Sequence, residues 1–215
     1  MNIFNFPKTV LASLLFLVIL FSLGSKDLSF RGDYKVFFSQ NNQQKIDFET
    51  SQNTFSKNES ISIILTTNSK DIFNEKDLKI IKEITEESYT IPFSTKVDSI
   101  TNFQNMYSTE ESIEIKDLVS KNFKYNDNEL LKIKEIALNE KELVNSLISK
   151  DGKITVVNVS ISLPIEDQTK KNNEVVNYTK EMLSKYESDR ISIALSGVIK
   201  LNDTFFTSSV KDSQT

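Results

Sequence analysis

The side chains that could carry chemistry in this chain are carboxylates, amides and hydroxyls, because its 215 residues include no histidine and no cysteine. Thiolate nucleophiles, disulfides, histidine bases and the usual zinc sites are therefore excluded. Carboxylates alone can support acid–base catalysis. The adjacent pairs Glu86-Glu87 and Glu110-Glu111 do not form such a site, since neighbouring positions on a helix point to different sides. We therefore predict no catalytic residue and no enzymatic activity.

Metal and cofactor sites are not predicted either. The run NDNE, from Asn126 to Glu129, resembles the start of a calcium loop, but it lacks the loop's glycine and its closing glutamate. We interpret it as a helix cap. A glycine-rich phosphate loop is excluded by wide spacing, since the four glycines are Gly24, Gly32, Gly152 and Gly197. The residues that would bind a substrate stay unknown at this point.

The charge balance bears on the class of partner. The net charge is −4, charged residues make up 26% of the chain, and no basic stripe is present. Nucleic-acid-binding domains carry clustered lysine and arginine residues that neutralise phosphates. We therefore expect no nucleic acid among the partners.

An apolar segment opens the chain. Val10 to Leu23 reads VLASLLFLVILFSL, with only two serines. About 14 to 16 apolar residues is fewer than the roughly 20 that span a bilayer. Length alone leaves two interpretations open, an uncleaved transmembrane helix or a secretory signal cleaved near Gly24. Lys8 favours a cytoplasmic amino terminus, and both interpretations place the residues after about 25 outside the cytoplasm.

The rest of the chain alternates between strand and helix patterns. β-Branched and apolar runs predict four strands, at 61–67, 94–103, 154–163 and 191–199. Amphipathic periodicity predicts helices after Asn74 and from Asp167. Asn126 and Glu129 form a capping box before another helix, which we expect to break near Asn139 and restart. The order β-α-β, insertion, β-α-β predicts a ferredoxin-like α+β sandwich, with helices on one face of an antiparallel sheet.

Several short motifs add to this pattern. Asp71-Ile72-Phe73-Asn74 leads through a helix to Ile91-Pro92, and the run VDSITN follows from Val97 to Asn102. Further on, Asp151-Gly152 precedes a β-branched strand, and the run IALSG closes the last strand at Gly197. In this order the motifs resemble the first periplasmic porter segment of RND-superfamily transporters of the MMPL or "predicted exporter" type. Two residues depart from the family's pattern, which has threonine at Ser196 and more commonly valine at Phe93.

The resemblance implies a function for the whole chain. It would be the N-terminal portion of an inner-membrane exporter, with an uncleaved first membrane helix and a periplasmic porter domain that gates or lines the substrate path. The implied partners are the bilayer and the remaining transporter helices, in the same or a separate chain, with a homo-oligomer possible. No residue here matches the family's proton-relay carboxylates, which lie in later membrane helices. The alternative is a complete exported periplasmic binding or adaptor protein with a cleaved signal peptide.

These interpretations divide the chain into four parts. Residues 1–25 form the transmembrane helix or signal segment, and residues 26–60 form an extended connector. Residues 61–199 form the periplasmic α+β domain, with a helical insertion at about 104–150. Residues 200–215 begin a further helix or form a linker toward a second membrane helix, which lies beyond this sequence in the family.

Overall fold

The computed structural model describes residues 7–24, 38–39, 41–55, 59–108, 112–120, 124–164 and 167–213. The chain divides into two compact units, residues 1–31 and residues 32–215. The first unit holds helix α1 (Pro7–Gly24). Across the ranges given above, no helix combines the length and the apolar character needed to cross a membrane.

The second unit is a mixed α+β domain, as the sequence predicts. Its described elements, in chain order, are α2 (Gln43–Phe55), β1 (Glu59–Thr67), α3 (Glu75–Ser88), β2 (Ser94–Asp98), β3 (Gln104–Ser108), β4 (Ile113–Asp117), α4 (Asp127–Asn139), β5 (Ile154–Ile161), α5 (Gln168–Ser184), β6 (Ile191–Ser196) and α6 (Val198–Ser213).

Four of the strands form one antiparallel sheet with the order β2-β5-β1-β6. β1 pairs with β5 on one side and with β6 on the other, and β2 pairs with the far side of β5. α3 therefore connects β1 to β2 across β5, while α5 connects β5 to β6 across β1. Each β-α-β unit is thus split by a strand of the other unit.

One face of this sheet is covered by helices. Along β1, Ile61, Ile63 and Leu65 are buried, whereas the alternate positions are only half-buried. The same alternation on β5 buries Val157, Val159 and Ile161. α3 contacts β2 and β5, α6 contacts β1 and β6, and α5 contacts both α3 and α6. The apolar residues of these helices and of the buried sheet face form one core.

Local signals explain where two of the helices begin. The Asn74 side chain accepts a hydrogen bond from the Asp77 N–H at 3.0 Å, which caps α3. Asn126 and Glu129 form the predicted capping box of α4, because each side chain accepts from the other residue's backbone N–H, at 3.0 and 2.8 Å. The NDNE run is therefore a helix cap.

The structure corrects two boundary predictions and decides a third. The connector at 26–60 is not extended throughout, because its residues 43–55 form α2. The strand predicted at 94–103 ends at Asp98, where the VDSITN run turns. Of the helix or linker predicted at 200–215, the structure has the helix, α6, which begins at Val198. Connector residues 26–37, 40 and 56–58 lie outside the described residues.

The insertion at about 104–150 is helical only in part. Its first segment is an antiparallel hairpin, β3–β4, and α4 ends at Asn139 as predicted. The helix does not restart after Asn139, because the chain enters turns in which Asn145 takes a positive φ of 63°. That backbone conformation is incompatible with a continuing right-handed helix.

Candidate ligand-binding cavity

A cavity of about 600 Å³ lies between the β3–β4 hairpin and α4. Its apolar lining comes from Leu118 after the hairpin and from Ile133 and Ile136 on α4, and Tyr107 and Tyr125 add aromatic rings. This volume falls within the range of small-molecule sites, which are mostly apolar with a few polar groups that fix orientation. The cavity is therefore the best candidate site for an apolar or amphiphilic ligand.

Polar groups surround the cavity, and most are already engaged. Lys116 forms an ion pair with Glu114, two residues earlier on β4. The Glu129 carboxylate is engaged in the capping box of α4. Among the residues that the structure describes, Lys132 and Glu135 line the cavity without an ion pair or side-chain hydrogen bond. These two side chains, of opposite charge, could orient a polar or zwitterionic head group.

Within the body of the hairpin, the alternation of the strands decides which side chains reach the cavity, whereas Asp117 reaches it from the end of β4. Tyr107 and Lys116 line it. Met106 and Ile115 are direct cross-strand partners, so they share the opposite face of the hairpin. That face is apolar and exposed, at 72% for Met106 and 60% for Ile115. A hairpin with one face in the cavity and an apolar outer face has little of its own to hold it in place.

An ion pair fixes the hairpin to the sheet domain. Lys82, near the middle of α3, is only 3% exposed, and its Nζ donates to the Asp117 carboxylate at the end of β4 over 3.1 Å. The same Nζ lies 3.5 Å from the Thr101 carbonyl oxygen. A buried ammonium needs such partners, because an unpaired buried charge is costly. Asp117 also lines the cavity, so one side chain connects the cavity to α3.

Three buried hydroxyls lie beside this ion pair. The Thr85 hydroxyl donates to Ser99 Oγ at 2.9 Å, Ser99 and Thr101 share a 2.7 Å hydrogen bond, and Thr101 donates back to Thr85 at 3.1 Å. All three are at most 1% exposed. The closed ring satisfies each hydroxyl without water, which joins α3 to the turn after β2.

Asn102 completes that turn. Its carboxamide oxygen accepts from the Ser99 N–H at 2.9 Å, and its NH₂ group donates to the Val97 carbonyl at 2.7 Å. The side chain thereby replaces backbone partners within a tight reversal. The VDSITN run thus has a physical role, because its serine, threonine and asparagine side chains form the turn that leads from β2 into the hairpin.

A second buried polar cluster joins β1, α3 and β6. Asp77 is fully buried and accepts from the Thr67 hydroxyl at 2.7 Å, from the Asn74 amide at 2.8 Å and from the Arg190 guanidinium. A second nitrogen of Arg190 donates to Asn74 at 2.8 Å. Because the carboxylate has three donors, its charge is compensated within the fold. We assign this cluster a structural role.

The residues weighed from the sequence do not come together in a site. Glu86 is exposed, whereas Glu87 pairs with Lys185. Burial raises the pKa of Tyr186, and the nearby Glu87 carboxylate adds to the effect. The pair Glu110-Glu111 lies outside the described residues. In the ranges that the structure describes, no group of three or more acidic side chains is placed to hold a metal ion.

Sequence reasoning missed the cavity. The one available signal was the short apolar patch at Ile113, Ile115, Leu118 and Val119, in which the last two are buried and the first two exposed. No family model and no curated protein matches the chain, so the comparisons with known proteins do not point to a site either.

Proposed function

We propose that this chain is the N-terminal portion of an inner-membrane exporter of the RND/MMPL type, contributing a ferredoxin-like porter domain outside the cytoplasm. The observation that carries the proposal is the split order β2-β5-β1-β6, in which two β-α-β units interleave under one layer of helices. Interleaved units of this kind are typical of the ferredoxin-like sandwich, so the sheet order supports this part of the proposal.

The placement of the resembling motifs supports the same proposal. Ser99, Thr101 and Asn102 form the turn that leads out of β2. Gly197 ends β6 at φ 97°, where its Cα lies against the backbone of Ser60. The motif residues that match the family therefore stand where this backbone needs hydroxyls, an amide and a glycine, which favours a shared fold over a chance match.

The surface of α1 supports insertion into a membrane. Consecutive side chains from Leu14 to Leu20 are each 45% or more exposed, so apolar groups project from every side of this helix. A helix that is apolar all round is buried in protein or in lipid. An in-plane amphipathic helix would instead have one polar face. We infer from this apolar surface that α1 associates with the inner membrane and that the second unit lies in the periplasm.

Within this proposal, the cavity between the hairpin and α4 lines the substrate path. Its apolar lining and its unpaired Lys132 and Glu135 suit an amphiphile with an apolar body and a polar or zwitterionic head. The exposed face of Met106 and Ile115 would meet the rest of the transporter or lipid, as large exposed apolar patches usually mark an interaction site.

The same cavity also fits a second candidate function. A complete exported binding or adaptor protein would use it to hold a ligand, after cleavage of the N-terminal segment. Intact-mass measurement of the protein from membrane and periplasmic fractions separates the two functions. An uncleaved chain in the carbonate-washed membrane supports the exporter, whereas loss of about 24 residues with release to the soluble fraction supports the binding protein.

Ligand binding is tested with an uncharged naphthylamine dye, whose fluorescence rises in apolar surroundings. We expect the dye to bind the full chain in detergent and Ile136→Trp to weaken binding about tenfold or more, because the larger side chain fills the cavity. Leu131→Trp is the matched control, since Leu131 lies on the same helix, is 62% exposed and does not line the cavity. Equal losses in both variants would remove the cavity from the proposal.

A further inference from the structure

The two edges of the four-stranded sheet differ in how they are protected. The edge strand β2 has a shift of register between Ser94 and Lys96, and Lys96 pairs with Asp98 at 3.0 Å. Bulges and charged side chains are the usual devices that prevent edge strands from pairing with other chains. β2 is therefore protected against pairing with a strand of another chain.

The opposite edge, β6, has none of these devices. Its sequence, ISIALS, contains no charge, no proline and no glycine, and it pairs with β1 without a register shift. Within the described ranges no strand pairs with its outer side. A regular, uncharged edge of β-branched and small residues presents backbone donors and acceptors to a further strand.

The sequence of β6 is complementary to itself. An antiparallel pair of two β6 strands, centred on Ala194, places Ile193 opposite Leu195 of the other copy and Ser192 opposite Ser196. Ile193 and Leu195 lie on the helix-covered side of the sheet and are half-buried, whereas Ser192, Ala194 and Ser196 are exposed on the open side. In this pairing, apolar side chains meet on the helix-covered side and small side chains meet on the open side. Ala194, the smallest of them, lies at the two-fold axis.

The two basic side chains that flank β6 are paired within one copy, and the exposed Asp189 before the strand falls opposite Ile199 of the other copy in this register. Arg190, just before the strand, donates to Asp77 and Asn74. Lys200, the first charged residue after the strand, pairs with Asp203 at 3.0 Å. Two copies could therefore approach edge to edge without bringing unpaired like charges together, which is the electrostatic requirement for association through identical surfaces.

α6 extends the same surface. Its side that faces α5 is polar, and Lys200, Thr204 and Thr207 line a groove there with α5 residues. At 100° per residue, Phe205 lies on the side of α6 turned away from that groove. Phe205 is 39% exposed and Leu201, one turn earlier, is 48% exposed. α6 packs on β6 and β1, so this helix lies beside the strand that carries the free edge.

We propose that β6 pairs antiparallel with β6 of a second copy of this chain, centred on Ala194, to give one continuous eight-stranded sheet flanked by the two α6 helices. The interface is isologous, and the hydrogen bonds of the free edge supply its specificity. This inference does not depend on the transport function, because a stand-alone binding protein would carry the same edge.

The natural chain has no cysteine, so a single introduced cysteine reports on the pairing. Opposite residues in an antiparallel pair have Cβ atoms about 4.5–5.5 Å apart, close to the separation in a disulfide. In the full chain in detergent, we expect Ala194→Cys to form a disulfide-linked dimer at least about tenfold faster than Lys96→Cys under mild oxidation. Lys96→Cys is the matched control, because it lies exposed on the opposite edge of the same sheet.

A second variant tests the association without crosslinking. Ala194→Lys places two ammonium groups across the two-fold axis on the open side of the sheet, where the folded monomer accommodates them. We expect it to weaken self-association about tenfold or more in sedimentation velocity, with an unchanged circular dichroism spectrum. Equal crosslinking of the two cysteine variants, or unaltered self-association of Ala194→Lys, would overturn the proposal. A monomeric natural chain throughout the concentration range would do the same.

Discussion

At the scale of single residues, Gly197 occupies a position that excludes a side chain. Its φ is 97°, and a Cβ built there would lie 2.4 Å from the Ser60 carbonyl oxygen. That oxygen belongs to the backbone of β1, so it cannot move without disturbing the sheet. We expect Gly197→Ala to lower the free energy of unfolding by at least about 2–3 kcal/mol, from the clash and the positive φ together. Urea denaturation measures the loss. Ser196→Ala, at the exposed neighbouring position, should leave stability nearly unchanged, and equal losses would contradict this account.

Asp151 illustrates a residue whose charge stabilises a turn. Its carboxylate accepts from the Ser149 hydroxyl at 2.6 Å and from the Lys153 N–H at 3.1 Å. The Ser149 bond, followed by that of Lys153, lowers the pKa of Asp151 below its ordinary value of 3.8. Because the folded pKa is the lower one, the ionised carboxylate stabilises the fold above pH 3.8, and this contribution is lost as the pH falls through the folded pKa.

The pH dependence can be measured directly at this side chain. We expect Ser149→Ala to raise the pKa of Asp151 toward 3.8 in a carboxyl-detected NMR titration. Asp151→Asn should reduce the loss of stability between neutral and acid pH. Asp127, in the first turn of α4 and without a bond to Ser149, serves as the internal reference. A pKa of Asp151 that does not move in Ser149→Ala would show that the hydroxyl is not the cause.

At the scale of secondary-structure elements, the hairpin depends on the bond between Lys82 and Asp117. Asp117→Asn leaves the ammonium of Lys82 buried without its anion, since Lys82 is 3% exposed. We expect a loss of about 1–3 kcal/mol, below the range for a fully buried pair because the Asp117 side chain is 37% exposed. Hydrogen exchange at β3 and β4 should accelerate more than exchange at β1.

The double variant distinguishes a specific pair from a general weakening. Lys82→Met removes the buried charge and keeps the length of the side chain, so Lys82→Met/Asp117→Asn should recover most of the stability lost in Asp117→Asn alone. If the two losses simply add, the carboxylate stabilises the hairpin by some other contact, and the cavity loses its connection to α3.

The elements that could be predicted from the sequence are those whose signals lie within a few neighbouring residues. The helix start at Asn74, the capping box at Asn126 and the β-branched run of β5 each depend on signals within a few residues, and each prediction is confirmed. α2 was missed because its apolar residues do not follow a helical stripe; Ile46 and Phe48 are both exposed. The hairpin was missed because its outer face is apolar and its inner face mixed, so no clean alternation of buried and exposed positions marks it.

At the scale of the whole molecule, the α+β class could be predicted but the cavity could not. The order of strand and helix patterns restricts the sheet to few arrangements, because connections are short and interleave in known ways. The cavity instead arises where the hairpin, a segment held by Lys82 from a distant helix, leaves space against α4. Such a space depends on how two elements of the insertion pack against each other, and no periodicity in either sequence encodes it.

The division of the chain into two compact units leads to the last prediction. Every residue of the described hydrophobic core lies between Ile61 and Ile199, and none belongs to α1. Because stability of a domain comes mainly from its buried core, we expect residues 32–215 without the first unit to unfold cooperatively. Their thermal midpoint should lie within about 3 °C of the corresponding transition of the full chain in detergent.

Differential scanning calorimetry of both forms in the same detergent gives the comparison. Gly197→Ala in the shortened form provides the control, since it should lower the midpoint there as much as in the full chain. A shortened form without a cooperative transition would mean that the first unit contributes to folding of the second. In that case α1 could not be removed without loss of the fold, and the binding protein with a cleaved signal peptide would have to be given up.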